Sequence, residues 1–423
     1  MVKRTCKTKI VVAMDSFKGS LTSLEAGNAV RDGILERYPD VDVQIFPVAD
    51  GGEGTVEALT FGKEHVQKRT IPVTGPVGTK VSAEYTIYEQ AGGNTAVLEM
   101  AQAAGLPLVP EERRNPMHTT TYGVGEMIRD AITCGCRKFI LGIGGSATND
   151  AGIGMLQALG FHFLDATGRE VGYGAEGLAQ VRTITTEDVL PELASCTFQI
   201  ACDVTNPLVG AQGCSAVFAP QKGADAKMVQ AMDAAMNQYA DIVEDMYRKD
   251  PALMENQLTG YDEADRNVEK TNRQSQVKNR MTPGTGAAGG LGYACLMFLH
   301  ASLKPGINRL PSQSISRSHR IQIAQAIQTA DAVITGEGRF DAQTLMGKTP
   351  IGVARIAKAY GVPVYAFAGC FGADVQVCID SGIFAGCYAA STASTEEEKR
   401  LAMEKTHAYA NLRNCVRNNL TGL

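Results

Sequence analysis

The two ends of the chain share one order of segments, in which short apolar runs alternate with longer helical patterns. Near the start, residues 10–14 read as a buried strand and residues 23–38 as a helix. Near the end, two apolar runs at 332–335 and 362–368 flank a helical pattern at 351–360. Strands that alternate with helices are typical of parallel sheets with crossover helices. Both chain ends are therefore predicted to contribute parallel strands to one α/β domain.

The middle of the chain follows a different and more mixed pattern. Glycine and proline turns separate alternating, β-like segments between residues 70 and 100. The pattern after residue 100 predicts helices at 122–133, 150–159, 227–246, 290–299, 318–329 and 395–419, and short strands at 138–143, 198–201 and 216–218. The polar stretch 247–280 reads as an exposed insertion.

A chain of 423 residues is too long for one ordinary hydrophobic core, so we expect two domains. The first is a Rossmann/flavodoxin-like α/β domain, with a parallel sheet built from residues 1–70 and 295–423. The second is a mixed α/β domain built from residues 71–294. In an open α/β sheet, ligands bind beyond the carboxyl ends of the strands.

Composition excludes several classes of protein. The net charge is −5, and a protein that binds nucleic acid normally carries a basic excess. Asp15 interrupts the apolar run near the N-terminus, so a signal peptide is not expected. Residues 281–303 carry no Lys, Arg, Asp or Glu, but Pro283 and many glycines favour a loop before a buried helix over a membrane span. The 11 scattered cysteines are typical of free thiols in a reduced cytoplasm.

Five loops combine glycine with charged or hydroxyl residues, and each follows an apolar run. They are Met14 to Ser20, Ala49 to Thr55, Gly142 to Asp150, Ala201 to Pro207 and Thr335 to Asp341. Any one carboxylate among them could simply cap a helix, because aspartate is a favoured cap. The repetition of carboxylate beside glycine in several turns favours a shared functional role instead.

Phosphoryl transfer is the chemistry that this set of loops fits. Backbone N–H groups of glycine loops hold phosphate oxygens, and Lys18 or Arg339 can offset their charge. Carboxylates hold magnesium, which keeps several waters and takes few protein ligands. A further carboxylate can take the proton from an attacking hydroxyl group.

The Gly142 loop also permits a different function. Its residues Gly142, Gly144 and Ala147 fit the permissive G-x-G-x-x-A form of the dinucleotide fingerprint, and the loop follows a predicted strand. A nicotinamide-dependent dehydrogenase of a small hydroxy acid is therefore an alternative. Against it, Asp150 would place a negative charge where the pyrophosphate should sit, and the other four loops would have no role. A non-catalytic nucleotide-binding regulator is a third hypothesis.

At these loops the sequence closely resembles the bacterial glycerate kinases of the type I family. The similarity covers nearly the whole chain and rests on long motifs. These are Val12 to Ser20, Pro47 to Thr55, Arg114 to Pro116 with Thr119 to Gly123, Gly142 to Asp150, Asp203 to Pro207, and Gly336 to Arg339 with Asp341. The resemblance implies ATP-dependent, magnesium-dependent phosphorylation of D-glycerate in two α/β domains around a cleft. It also assigns the Gly142 loop to substrate or phosphate binding.

The resulting site prediction combines these loops. The predicted catalytic residues are Asp15 (the first candidate for general base), Lys18, Asp203 and Arg339. The predicted substrate- or phosphate-binding residues are Ser16, Asp50, Glu53, Gly144, Gly145, Ser146, Thr148, Asn149, Asn206 and Glu337. Asp203 and Asp341 are the predicted magnesium ligands. The product is expected to be 2-phosphoglycerate, with 3-phosphoglycerate left open. No nucleic-acid or membrane partner is expected, and a homodimer stays open.

Two positions depart from the family pattern. Ala151 stands where the family often has a second glycine, and Phe340 where a smaller aliphatic residue is usual. The stretch 247–280 also looks longer than in most members. None of these departures removes a charged group, so the predicted activity is unaffected.

Overall fold

A computed structural model of the chain describes residues 7–49, 54–90, 92–202, 204–249, 279–304, 317–346 and 349–422. The chain forms two compact units, one from Met1–Gly62 with Pro305–Leu423 and one from Lys63–Lys304. The boundaries expected at residues 70/71 and 294/295 fall inside a strand, Val66–Thr74, and a helix, Ala287–Phe298. Most of the predicted insertion lies outside the described residues.

The strands are described here in chain order. They are β1 (Lys9–Met14), β2 (Asp42–Ile45), β3 (Val66–Thr74), β4 (Lys80–Gln90), β5 (Gly93–Glu99), β6 (Lys138–Gly142), β7 (His162–Leu164), β8 (Thr183–Thr185), β9 (Thr197–Ala201), β10 (Ser302–Lys304), β11 (Ala332–Gly336), β12 (Arg339–Phe340), β13 (Val364–Ala368), β14 (Cys370–Phe371) and β15 (Gly386–Ala389).

The α-helices follow the same order. They are α1 (Ser23–Arg37), α2 (Thr55–Thr60), α3 (Ala101–Ala104), α4 (Tyr122–Thr133), α5 (Ile153–Ala158), α6 (Gly174–Gln180), α7 (Cys214–Phe218), α8 (Ala226–Lys249), α9 (Ala287–Phe298), α10 (Arg317–Gln328), α11 (Thr349–Ala359), α12 (Gln376–Asp380), α13 (Glu396–Met403) and α14 (Lys405–Asn419).

The unit built from the chain ends contains a five-stranded parallel sheet, as predicted. Its strand order is β15-β13-β11-β1-β2. Alternate residues of β1 enter two different cores, because successive side chains of a strand point to opposite faces. Ile10, Val12 and Met14 join one core and Val11 and Ala13 the other. The sheet is therefore covered on both faces, as parallel sheets usually are.

Helix α1 begins with a capping box formed by Thr22 and Glu25. Its buried face consists mainly of small residues, which allows α14 to approach closely. A Cβ built at Gly33 would lie only 2.4 Å from the carbonyl oxygen of Arg413 on α14. Leu24 and Leu35 of the same helix are only half-buried.

The middle unit contains a six-stranded mixed sheet with the order β10-β9-β6-β5-β4-β3. Strands β10, β9, β6 and β5 are parallel, and β4 and β3 are added in antiparallel pairing. In the register of this sheet Gly142 lies between Glu99 and Ala201. The loops after β5, β6 and β9 therefore leave the sheet at the same edge.

Three predicted elements were wrong. Residues 216–218 belong to helix α7 rather than to a strand, and a short apolar run does not distinguish the two. The predicted helix at 395–419 is two helices that separate at Glu404, whose backbone is not helical. Helix α5 begins at Ile153 and not at residue 150, because Ala151 and Gly152 have left-handed backbone with φ of 51° and 75°.

The uncharged stretch after residue 280 forms a loop and a buried helix, as predicted. Helix α9 is almost completely buried, and Ala288, Gly289 and Gly290 near its start have positive φ. Among the described helices, none combines the length and the apolar character needed to cross a membrane. The ten described cysteines are all free thiols.

Candidate functional site

The chain-end unit places Asp15 and Glu337 side by side at the carboxyl edge of its sheet. Strands β1 and β11 are paired in parallel with Met14 opposite Gly336, so each acidic residue immediately follows its strand. The N–H of Asp15 donates to the carbonyl of Gly336 over 2.9 Å. Both side chains are buried, with 5% of Asp15 and 8% of Glu337 exposed. Two adjacent strand ends at this edge therefore each carry an acidic residue that is largely shielded from water.

Asp341 and Arg339 continue the same site on the loop after β11. Buried Thr344 donates its hydroxyl to Glu337 Oε1 over 2.7 Å, and its Oγ1 accepts the N–H of Asp341 over 3.3 Å. Arg339 Nε lies 3.3 Å from Asp341 Oδ2, and the arginine side chain is largely exposed. The predicted acidic residues of this loop are thus connected to each other through Thr344.

The loop after β1 packs against the loop after β11. A Cβ at Gly338 would lie 3.3 Å from the Cα of Phe17 and 3.5 Å from the backbone nitrogen of Lys18. Lys18 is exposed, whereas Ser16 is buried and donates its N–H to Asp15 Oδ1 over 2.7 Å. The structure therefore brings Asp15, Ser16 and Lys18 together with the Glu337 loop.

The loop that follows β2 lies next to the end of β1 and the loop after it. The N–H of Val48 is bonded to Ser23 Oγ, which itself donates to the carbonyl of Met14. Gly54 lies against Ser16, with 3.7 Å between its ideal Cβ position and the serine Cβ. Asp50 and Glu53 lie outside the described residues, so their predicted roles stay predictions.

In the middle unit, the predicted anion loop follows β6. Three hydrogen bonds connect this loop to neighbouring segments. The N–H of Leu106 donates to the carbonyl of Gly145, and the N–H of Ala147 donates to the carbonyl of Ala104. The hydroxyl of Thr119 donates to the carbonyl of Ala147. The N–H groups of Gly144, Gly145 and Ser146 make no hydrogen bond to another described residue. Gly145 is exposed, Gly144 is half-buried and Ser146 is buried. Their three N–H groups can donate hydrogen bonds to a ligand anion.

The end of this loop is held from inside the unit. Asn149 Nδ2 donates to Ser215 Oγ over 2.9 Å, and the N–H of Ala151 donates to the carbonyl of Gly289 over 3.0 Å. Asn149 Oδ1 and Thr148 Oγ1 are buried, and neither has a hydrogen-bond partner among the described residues. Thr148 and Asn149 are therefore more deeply buried than Gly144, Gly145 and Ser146, and they hold the end of the loop against the interior of the unit.

Asn206 lies beside the same glycine-rich segment. Its carbonyl accepts the N–H groups of Gly284 and Gly286, and its Nδ2 donates to the carbonyl of Gln212. A Cβ at Gly289 would lie 2.0 Å from the carbonyl of Thr148, so only glycine permits this packing. The segment 284–290 thus connects Asn206 to the Gly142 loop.

Sequence reasoning missed a buried lysine that is hydrogen-bonded to the Gly142 loop. Lys222 is only 2% exposed, and its Nζ donates to Ser146 Oγ over 2.8 Å and to the carbonyl of Thr148 over 2.7 Å. Burial lowers its pKa from 10.5 to about 8. Asp150 nearby accepts the N–H and hydroxyl of Thr121, yet complete burial still raises the pKa of its carboxyl group. No sequence pattern joins residue 222 to a loop so distant along the chain.

Glu99 is a second buried charged residue beside the Gly142 loop that the sequence analysis did not identify. It ends β5 opposite Gly142 and is 5% exposed. The only available signal was its position near the end of the β-like stretch predicted between residues 70 and 100.

The magnesium ligands remain predictions. Asp203 lies outside the described residues, and within the described ranges there is no group of three or more His, Cys, Asp and Glu side chains arranged to hold a metal ion. Asp341 offers a carboxylate, the type of donor that magnesium prefers.

The geometry of the Gly142 loop does not favour the dehydrogenase alternative. In the dinucleotide fingerprint the glycine turn leads directly into a helix, whose N-terminus holds the pyrophosphate. Here β6 ends at Gly142 and α5 begins at Ile153, with residues 143–152 between them. The match of glycine spacing therefore lacks the strand-turn-helix context that the fingerprint requires.

The shifted pKa of Lys222 gives a prediction about stability. Between pH 8 and 10.5 the unfolded chain keeps a proton that folded Lys222 has lost, so the free energy of unfolding should rise with pH across this window. The rise should be on the order of 3 kcal/mol relative to Lys222→Met, which lacks the group. Asp150 and the Cys214 thiol are the titratable groups whose charges act on this ammonium. Urea unfolding of both proteins from about pH 7 to about pH 11 measures the difference, and a pH-independent difference would contradict the prediction.

Comparison with known proteins identifies the family of the chain. The sequence model of the Glycerate kinase family matches residues 10–421. The glycerate kinase of Haemophilus influenzae is 44% identical over 377 residues, which are 89% of each chain. The glycerate 2-kinase of Escherichia coli strain K12 is 42% identical and covers 89% of this chain and 88% of its own. A crystal structure from Salmonella typhimurium LT2, described provisionally as a glycerate kinase 2, superposes with a TM-score of 0.72 at 38% identity and covers 98% of this chain and 97% of its own. The chain therefore belongs to the glycerate kinase family.

Proposed function

We propose that this kinase transfers the γ-phosphoryl group of ATP to a hydroxyl group of D-glycerate and releases ADP and 2-phosphoglycerate. Membership of the family makes the chain a kinase that acts on glycerate. The choice of the 2-phosphate is supported by the E. coli relative, whose name specifies a glycerate 2-kinase. The 3-phosphate is the competing product.

The observation that carries the proposal is the pair of buried carboxyl groups where β1 and β11 end. In the proposed reaction the glycerate hydroxyl oxygen attacks the γ-phosphorus, the bond to the ADP oxygen breaks, and the hydroxyl proton passes to a carboxylate. Asp15 is the first candidate for this base, because it is buried and because its N–H is bonded to the carbonyl of Gly336 on the adjacent strand. Lys18 and Arg339 are exposed cations on the same two loops and would contact phosphate or the substrate carboxylate.

The middle unit has a candidate anion-binding loop of its own, with neutral donors. We propose that the N–H groups of Gly144, Gly145 and Ser146 hold an anionic group of a substrate, with Thr148, Asn149 and Asn206 supporting the loop. Asp50, Glu53 and Glu337 are proposed as further binding residues. Magnesium, when bound with the nucleotide, would neutralise phosphate charge; Asp203 and Asp341 are the proposed ligands.

The test is an assay of the purified protein with ATP, magnesium chloride and D-glycerate. We expect ADP release that requires glycerate, and phosphorus NMR should show 2-phosphoglycerate as the product. L-glycerate and addition of EDTA serve as controls. Formation of 3-phosphoglycerate would refute the assigned position. ATP binding without glycerate-dependent turnover would favour a regulator, and NAD(P)-dependent oxidation would favour the dehydrogenase.

A further inference from the structure

Lys222 carries a positive charge at a place where a charge is costly. The side chain is fully enclosed, and within the described ranges it forms no ion pair. Its two acceptors are a neutral hydroxyl and a backbone carbonyl. Buried charges are usually paired or serve a site, because transfer of an unpaired ion from water is strongly unfavourable. The position of this lysine therefore calls for a functional explanation.

The backbone presents Lys222 rigidly. The residue ends the turn Pro220–Lys222, and Gly223 follows with φ of 97°. A Cβ at Gly223 would lie 2.2 Å from the carbonyl of Arg114, so this turn is packed tightly against its neighbour. The lysine side chain extends from a fixed base to the Gly142 loop.

The two bonds from Lys222 act on both sides of Ala147. They reach Ser146 Oγ and the carbonyl of Thr148, while the backbone groups of Ala147 itself are bonded to Ala104 and Thr119 on other segments. Three consecutive residues of the loop are thus held from different directions. Directly before them are the N–H groups of Gly144 and Gly145, and that of Ser146 is the third donor without a described partner. The ammonium group therefore stabilises the part of the loop that exposes these donors.

We infer that Lys222 is a positioning residue of this kinase, whose buried ammonium group holds the Gly144–Ser146 donors in place for an anionic substrate group. The inference rests on the proposed function for the role of that loop. The anionic group is a carboxylate or a phosphate, supplied by glycerate or by the nucleotide.

The test compares Lys222→Met with Lys227→Met, which removes an exposed lysine from the nearby helix α8. Methionine keeps the unbranched length of the lysine but removes the charge. In Lys222→Met we expect kcat/KM to fall about 100-fold, the loss that a displacement of about 1 Å in a binding group can cause. The KM of one substrate should rise while that of the other changes little, which identifies whether glycerate or ATP supplies the anion. Lys227→Met should match the wild type.

Two further measurements separate positioning from a general structural role. Hydrogen exchange of the ligand-free protein should become faster in the peptide covering residues 143–149 of Lys222→Met, and the melting temperature should change by only a few degrees, because removing a buried charge offsets the loss of two hydrogen bonds. Ser146→Ala combined with Lys222→Met should lose less activity than the sum of the single effects.

Unchanged kinetics or unchanged exchange at 143–149 in Lys222→Met would overturn the inference. A fall in activity that follows a general loss of stability, with both KM values unaffected, would also overturn it. Lack of glycerate-dependent turnover in the wild type would instead refute the proposed function, and faster exchange in the loop would then still support the positioning by Lys222.

Discussion

Replacement of Asp15 with asparagine is expected to lower kcat by roughly 10²–10⁴-fold and to leave the free energy of unfolding nearly unchanged. Asparagine has the same shape as aspartate, and its Oδ1 can still accept the N–H of Ser16, as Asp15 Oδ1 does over 2.7 Å. Its amide cannot take a proton from the glycerate hydroxyl. The loss should therefore appear in kcat much more than in the KM of either substrate.

The matched control is Asp40→Asn, which makes the same chemical change at an exposed position of the same unit. ADP release measured with a coupled assay, together with thermal unfolding of both variants, gives the comparison. Asp15 is not the base if Asp15→Asn keeps near wild-type kcat. In that case the same assay should be applied to Glu337, whose carboxyl group follows the adjacent strand.

Much of the chain-end unit could be predicted because its strands are buried on both faces. Such strands read as continuous apolar runs, and the loops that follow them are then recognisable from the sequence. The grouping of Asp15 with Glu337 follows from this logic, since adjacent parallel strands end at one edge. The capping box at Thr22 was equally visible, because it depends on residues only three positions apart.

Other features depend on contacts that no local pattern records. Lys222 meets the Gly142 loop only after the middle unit has folded, and its own neighbours Pro220 and Gly223 read as an ordinary turn. The late start of helix α5 depends on the positive φ of Ala151, whose N–H donates to the carbonyl of Gly289 in a distant segment. Glycine, rather than alanine, is the residue that this backbone region favours.

Gly336 supports a prediction in which stability and activity should fall together. It is the last residue of β11 and lies opposite Met14. A Cβ at this position would be 1.7 Å from the carbonyl oxygen of Phe367 on β13 and 2.7 Å from the Cε of Met14. Since the first neighbour is backbone, Gly336→Ala requires the ends of two paired strands to move apart.

We expect Gly336→Ala to reduce the free energy of unfolding by about 3 kcal/mol, the upper part of the usual range for overpacking a core. Activity should also fall, by about 100-fold in kcat/KM, because the carbonyl of Gly336 accepts the N–H of Asp15 and Glu337 is the next residue. Urea unfolding and the coupled assay measure the two effects.

Gly172→Ala is the control, because Gly172 is exposed and a Cβ there meets no atom within 4 Å. A variant that is destabilised but fully active would show that this strand end does not place the two carboxylates, and a variant that unfolds like the wild type would contradict the predicted steric clash. Because Asp15→Asn should affect catalysis alone, the two variants together distinguish the chemistry of the carboxylate from its placement by the sheet.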